Sequence, residues 1–61
     1  MAKWVLLQGT TVNNVIVPGP PEVQAILESE GFEVVEENDE VRVAPGWTWN
    51  EETQEYVEPS P

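Results

Sequence analysis

The chain has no cysteine and no histidine among its 61 residues. Disulfide bonds and zinc sites built on thiolate or imidazole ligands are therefore excluded. Small domains often depend on such cross-links, because a short chain buries a small fraction of its surface. The sequence predicts a thin core with no cofactor and no metal, one that gains stability from packing and from association with other chains.

Basic residues are also scarce, since Lys3 and Arg42 face 12 acidic residues and the formal net charge is −10. Phosphate backbones and anionic membrane surfaces would repel such a chain at long range. No apolar run approaches the roughly 20 residues that a membrane span needs, and the opening "MAKWVLLQGT" is too short for a signal-peptide core with its cleavage site. We expect no direct nucleic-acid binding, no membrane insertion, and synthesis in a cytoplasm.

The side chains that most often perform catalysis are missing. Histidine and cysteine are absent, and the single lysine stands at position 3. A carboxylate pair such as Glu28 with Glu33 or Glu36 has the chemistry of a glycosidase, but so small a chain offers no cleft to hold a sugar. The sequence therefore predicts a protein that is not an enzyme and has no catalytic residues.

The N-terminal segment is typical of a β-hairpin, with strands over 4–7 and 12–17 and a turn around Gly9 and Thr10. Its first strand is apolar on both faces. Either this pair of strands is central and covered twice, or one face is kept for a partner, and Trp4 is a candidate interface residue. Asn13 and Asn14 interrupt the second strand and predict a bulge or a change of face.

The middle of the chain carries the signals of one helix at about 21–30. Prolines suit its first turn, and Gly31 suits the left-handed position just past its end. Val23, Ile26 and Leu27 form an apolar stripe that can lie on a sheet. A second hairpin is predicted next, with Phe32 and Val34 pointing inward on one strand and "VRV" at 41–43 on the other.

The segment "APGWTWNEETQEYVEP", positions 44 to 59, holds two of the three tryptophans and the only tyrosine. Trp47 and Trp49 are expected on one face of a strand, with Tyr56 and Val57 on a possible return strand. These rings either close the end of a thin core or leave one ring at the surface to anchor another protein. The candidate interface residues are therefore Trp47, Trp49, Tyr56 and Trp4.

Together these elements predict one α+β domain over 1–61, with a small antiparallel or mixed sheet and one helix. Residues 1–44 would form a hairpin, a helix and a second hairpin. Residues 45–61 would form an aromatic C-terminal hairpin or arm.

Acidic clusters admit two further interpretations. "EENDE" at 36–40 offers calcium-type ligands but lacks the alternating spacing and central glycine of a calcium loop, so a solvated turn is favoured. The acidic charge could instead imitate a nucleic-acid backbone, making the chain an inhibitor that occupies the groove of a basic protein. That function needs carboxylates on one continuous face, whereas here they are spread along the sequence.

Three segments carry a family resemblance: "VNNVIV", "GFEVVEENDEVRVAPGW" and the terminal "GWTWNEETQEYVEPSP". They resemble short proteins of tailed bacteriophages, and segments of phage tail-fibre assembly and tail accessory proteins. In that group a "V-V-N-x-I" strand is paired with a terminal Gly-Trp-x-aromatic, then Phe or Tyr, then Pro. The matching positions here are Val12, Asn13, Asn14 and Ile16, and then Gly46, Trp47, Trp49, Tyr56 and Pro59.

The chain departs from the group at "NEETQE", where a tight Asp-Gly or Asn-Gly turn is usual. The terminal hairpin is therefore expected to be wider, or to be an extended arm. The resemblance implies a non-catalytic structural or assembly protein of a phage virion, made in the host cytoplasm. It would be a tail or baseplate accessory, a capsid decoration protein or a tail-fibre chaperone, present as a multi-copy oligomer that contacts itself or a larger virion protein.

Overall fold

A computed structural model describes residues 2–59, so the predicted domain limits at 1 and 61 lie outside the described residues. Within these residues the fold is α+β, as predicted: one short helix and a single sheet of five strands in which every pairing is antiparallel. Its spatial order is β3-β1-β2-β4-β5. The elements are β1 (Ala2–Gln8), β2 (Thr11–Ile16), α1 (Pro21–Ser29), β3 (Glu33–Asn38), β4 (Thr48–Asn50) and β5 (Glu55–Val57).

β1 forms the core of the molecule. It pairs with β2 on one side and β3 on the other. It also supplies four of the five apolar residues that are buried among the described part of the chain, which are Trp4, Val5, Leu6, Leu7 and Val12. Val5, Leu7 and Val12 form one cluster, whereas Trp4 and Leu6 alternate onto the opposite face. Of the two arrangements left open by the sequence, the structure has the first for β1, which is an internal strand buried on both faces. In β2 only Val12 is buried, and Asn13 and Asn14 are exposed.

The first hairpin forms as predicted. Gly9 takes a φ of +66° at the first position of a two-residue turn between Gln8 and Thr11, the glycine placement of a type II′ turn. The pairing then shifts register, because Leu6 faces Asn14 while Leu7 faces Val12. Asn13 is the extra residue, so the predicted bulge is confirmed, and it keeps Val12 and Val15 on the face of the core cluster.

The helix begins and ends close to the predicted positions. Gly31 has a φ of +102° and donates to the carbonyl of Glu28, while Phe32 donates to that of Leu27, which is the Schellman pattern. The apolar stripe is only partly covered. Leu27 is half-buried, but Val23 and Ile26 remain 36% and 58% exposed, because the nine-residue helix contacts the sheet mainly at β3.

The predicted second hairpin is wrong. Residues 41–43 form no strand, and β3 pairs with β1 instead. After β3 the chain turns at Asn38, whose side-chain oxygen accepts from the Glu40 amide at 2.9 Å and whose carbonyl accepts from the Val41 amide at 3.0 Å. Because β1 and β2 lie between β3 and β4 in the sheet, the chain after this turn must cross above the sheet to reach β4.

The crossing segment, residues 39–47, covers the face of the core cluster. Val43 and Trp47 pack against that cluster, and the Lys3 ammonium donates to the carbonyls of Asp39 and Val41. At its end, the Gly46 amide donates to the Val12 carbonyl at 2.8 Å and the Val12 amide donates to the Trp47 carbonyl at 2.7 Å. The alternating "VRV" pattern therefore marks residues that cover a sheet rather than join it.

The C-terminal segment forms a hairpin rather than an extended arm. β4 and β5 pair through Trp49 with Tyr56, and a four-residue loop joins Asn50 to Glu55. The Asn50 side-chain oxygen accepts from the Glu52 amide at 2.9 Å, which stabilises the loop in place of the tight turn. Gln54 takes the left-handed conformation, with a φ of +55°, that a glycine would otherwise provide.

The conformation of Gly46 yields a first prediction. Its φ is +95° and nothing lies within 4 Å of an added Cβ, so Gly46→Ala is expected to lower the free energy of unfolding by about 1 to 2 kcal/mol through backbone strain alone. Gly19→Ala is the matched control. Its φ is not positive and its Cβ would make an ordinary 3.6 Å contact with Val23, so it is expected to be neutral or stabilising. Urea unfolding of both variants checks this, and equal losses would contradict it.

Candidate protein interface

The C-terminal hairpin presents a pair of aromatic rings. Trp49 and Tyr56 lie opposite one another on β4 and β5, with ring centroids 4.8 Å apart and planes tilted by 54°. Both side chains are half-buried and pack against the cluster of Val5, Leu7 and Val12. The rings thus belong to the edge of the core and at the same time reach the surface.

Tyr56 is tied to β3 across the crossing segment. Its hydroxyl donates a hydrogen bond of 2.7 Å to Oε2 of Glu37, which is itself half-buried. Burial raises the pKa of the Tyr56 phenol well above its usual range, and the hydrogen bond and negative charge of Glu37 raise it further. The phenol therefore stays neutral and continues to donate its hydrogen bond to the carboxylate.

Two surface grooves meet at Trp49. The first, here the hairpin groove, has a volume of about 390 Å³ and is lined by Glu37, Val41, Arg42, Trp49, Gln54, Glu55 and Tyr56. The second, here the tip groove, has a volume of about 500 Å³ and is lined by Thr10, Thr48, Trp49, Asn50, Glu51, Glu52 and Val57. Trp49 lines both, and Val57 is 45% exposed.

The structure brings together three of the four predicted interface residues. Trp47, Trp49 and Tyr56 all pack against the core cluster and remain half-buried. Trp4 does not join them. It is only 6% exposed within β1, so in the folded chain it is a core residue and lies apart from this surface.

Sequence reasoning missed Glu37 and Arg42, which line the hairpin groove beside the rings. Glu37 stands within "EENDE", where it looks like one of several solvated carboxylates. The available signal was strand alternation: Glu37 shares a face of β3 with Val35, which packs against the core cluster. That signal has meaning only once β3 is known to pair with β1.

Within 2–59, no group of three or more carboxylates is placed to hold a metal ion. Over the same residues, α1 falls short of the length and apolar character of a membrane-spanning helix.

The hydrogen bond between Tyr56 and Glu37 yields a second prediction. Because folding raises the phenol pKa, this stabilisation is fully present below the ordinary value of 10.0 and is lost as the pH rises above it. Tyr56 is the only tyrosine, so phenolate absorbance reports it alone. We expect it to titrate above its ordinary range while the chain is folded.

Tyr56→Phe is the matched variant. It is expected to lower the free energy of unfolding by about 1 kcal/mol at neutral pH, and to flatten the pH dependence of stability above about pH 10. Urea unfolding across this pH range measures both effects. A wild-type phenol that ionises at its ordinary pKa in the folded chain would contradict the prediction.

Comparison of the chain with protein-family models, with curated proteins and with solved structures finds no match. The likeness to phage tail proteins therefore stays a prediction.

Proposed function

We propose that this chain is a non-catalytic structural or assembly protein of a tailed bacteriophage particle, which binds a larger protein of the particle through its C-terminal hairpin. The observation that carries the proposal is the position of Trp49, which packs on the core and also lines both surface grooves. Tryptophan and tyrosine are enriched in interfaces because a rigid, large ring contributes much contact area.

The phage setting comes from the resemblance. Four residues of its terminal signature, Gly46, Trp47, Trp49 and Tyr56, belong to the hairpin and its entry. Gly46 has the positive φ of +95° that leads the chain into β4. The signature therefore corresponds to a structural unit with a surface of its own, which supports a shared binding role.

A host-directed acidic inhibitor is the alternative function. It requires a continuous face of carboxylates. On β3, Glu33 and Glu37 alternate with Glu36, so these three carboxylates point to both faces of the sheet. Ordinary solvation of strand edges and turns accounts for this distribution, and it favours the structural role.

Quantitative mass spectrometry of salt-washed, gradient-purified particles of the source phage tests the proposal. A fixed ratio of this chain to the major capsid protein is the expected result, and the ratio would separate a capsid decoration protein from a tail or baseplate part. Absence from particles, with abundant protein in the infected cell, would leave a tail-fibre chaperone or the inhibitor.

A third prediction concerns the anchor. Trp49→Ala is expected to fold with a free energy of unfolding lower by about 2 kcal/mol, because removing a half-buried ring costs about half as much stability as removing a fully buried one. Its binding to particles is expected to fall by more than about tenfold. Sedimentation with particles and urea unfolding measure the two effects.

Val17→Ala is the matched control, because Val17 is 82% exposed and lies outside the hairpin. It should keep both stability and binding. If Trp49→Ala unfolds the chain, Trp49 is a core residue and the anchor role fails.

A further inference from the structure

The hairpin groove combines aromatic rings with carboxylates. Trp49 and Tyr56 contribute rings whose centroids are 4.8 Å apart, and Glu37 and Glu55 contribute carboxyl groups to the same lining. The volume of about 390 Å³ is enough for one long side chain of another molecule. Rings and carboxylates share one electrostatic property: both attract positive charge.

Glu37 is held in a defined position by Tyr56. The 2.7 Å hydrogen bond from the phenol uses Oε2, and within residues 2–59 the Oε1 atom accepts no side-chain hydrogen bond. Because the carboxylate has a fixed orientation and a free oxygen, less side-chain entropy is lost when it accepts a donor from a ligand. The carboxylate is thus preorganised beside the tryptophan ring.

We propose that the hairpin groove binds an arginine side chain of the partner protein, with the guanidinium stacked on Trp49 and donating to Glu37. This inference rests on the proposed function only in taking the partner to be a protein. Guanidinium is planar and weakly hydrated, so it stacks on aromatic rings and pairs with carboxylates better than an ammonium group does. The net charge of −10 also favours a basic partner surface over a second copy of this chain.

Arg42 gives the proposal a sharp internal test. It is exposed and lines the same groove, so its positive charge opposes an incoming guanidinium. Removing this charge is expected to strengthen the binding of a cation and to weaken the binding of an anion. The sign of the ligand's charge can therefore be read from one substitution.

The test is a nuclear magnetic resonance titration of the ¹⁵N-labelled full chain with the peptide acetyl-Gly-Arg-Gly-amide. The control peptide replaces arginine with citrulline, which has nearly the same shape but no charge. We expect the arginine peptide to shift the indole N–H of Trp49 and the backbone amides of Glu37 and Tyr56. The citrulline peptide is expected to leave them unchanged, and added salt should reduce the shifts.

Three variants then locate the contacts. Glu37→Gln keeps an acceptor for the Tyr56 hydroxyl, and Trp49→Leu keeps an apolar side chain on the core; each is expected to weaken arginine binding by about two- to fivefold. Arg42→Gln is expected to strengthen it by a similar factor. Glu30→Gln, which removes an exposed carboxylate at the end of α1, is the charge-matched control and should change nothing.

Three results would overturn the proposal: equal shifts with both peptides, no shift of the Trp49, Glu37 and Tyr56 signals, or weaker binding of the arginine peptide by Arg42→Gln. A lysine peptide that binds more tightly than the arginine peptide would overturn the assignment of arginine. If the arginine peptide does not bind but the chain is found in particles, this inference is wrong and the proposed function is retained. If the arginine peptide binds but the chain is absent from particles, this inference is retained and the role as a particle component is wrong.

Discussion

Trp4→Ala is expected to leave most of the chain unfolded at room temperature. Trp4 is 6% exposed at the centre of β1, and removal of a buried tryptophan side chain costs about 3 to 5 kcal/mol. A chain of this length has a net stability of only about 3 to 9 kcal/mol. The loss is therefore comparable with the whole stability, and circular dichroism with urea unfolding measures it directly.

Ile26→Ala is the control for this variant. Ile26 belongs to the helix that joins β2 to β3, but it is 58% exposed. Its substitution is expected to change the free energy of unfolding by about 0.5 kcal/mol or less. A Trp4→Ala chain with an unchanged urea midpoint would show that the side chain contributes no core packing and would reopen its role at a surface.

A chain shortened to residues 1–45 is expected to be unfolded. The sequence predicts one domain over 1–61, in which 1–44 is followed by an aromatic hairpin or arm over 45–61. If that hairpin were only an appendage, the shortened chain would fold. In the structure, Trp47, Trp49 and Tyr56 are among the side chains that pack against Val5, Leu7 and Val12. Removing these three rings leaves Val43 as the part of the crossing segment that still packs on the cluster, and the loss of apolar burial is comparable with the net stability of a small domain.

The matched control is a full-length chain with Glu51→Gln and Glu52→Gln. These residues lie in the exposed loop of the same hairpin, so the double variant is expected to fold like the wild type. Amide hydrogen exchange and urea unfolding compare the two chains. Cooperative unfolding of the shortened chain, with protected amides in β1, would contradict the prediction and make the hairpin an appendage.

One part of the candidate site could be predicted from the sequence, and the other part could not. The pairing of Trp49 with Tyr56 could be predicted, because both lie in one short hairpin whose strands are adjacent in sequence. The hydrogen bond from Tyr56 to Glu37 spans 19 residues and joins β5 to β3, at opposite ends of the sheet order. No local pattern marks Glu37 or Arg42 as neighbours of these rings, because the pairing of β3 with β1 places Glu37 there and the crossing segment carries Arg42.

The sequence by itself determined the elements whose signals are local. The turn at Gly9 and the helix end at Gly31 each depend on the conformational preferences of a few consecutive residues. A backbone conformation of this kind is decided within one turn of chain, so reading the residues in order is sufficient to predict it. The bulge at Asn13 and the terminal hairpin are each one of the two alternatives that the sequence predicts.

Only the tertiary structure decided which apolar surfaces are covered and by what. β1 is apolar on both faces, and the sequence allows either a second cover or a free face. The sheet order separates β3 from β4, so the connection between them must cross the core cluster. For this reason residues 41–43 lie over that cluster and do not form the expected strand. Burial depends on contacts between residues far apart in the chain, and for that reason Trp4 proved to be core while Trp49 reaches the surface.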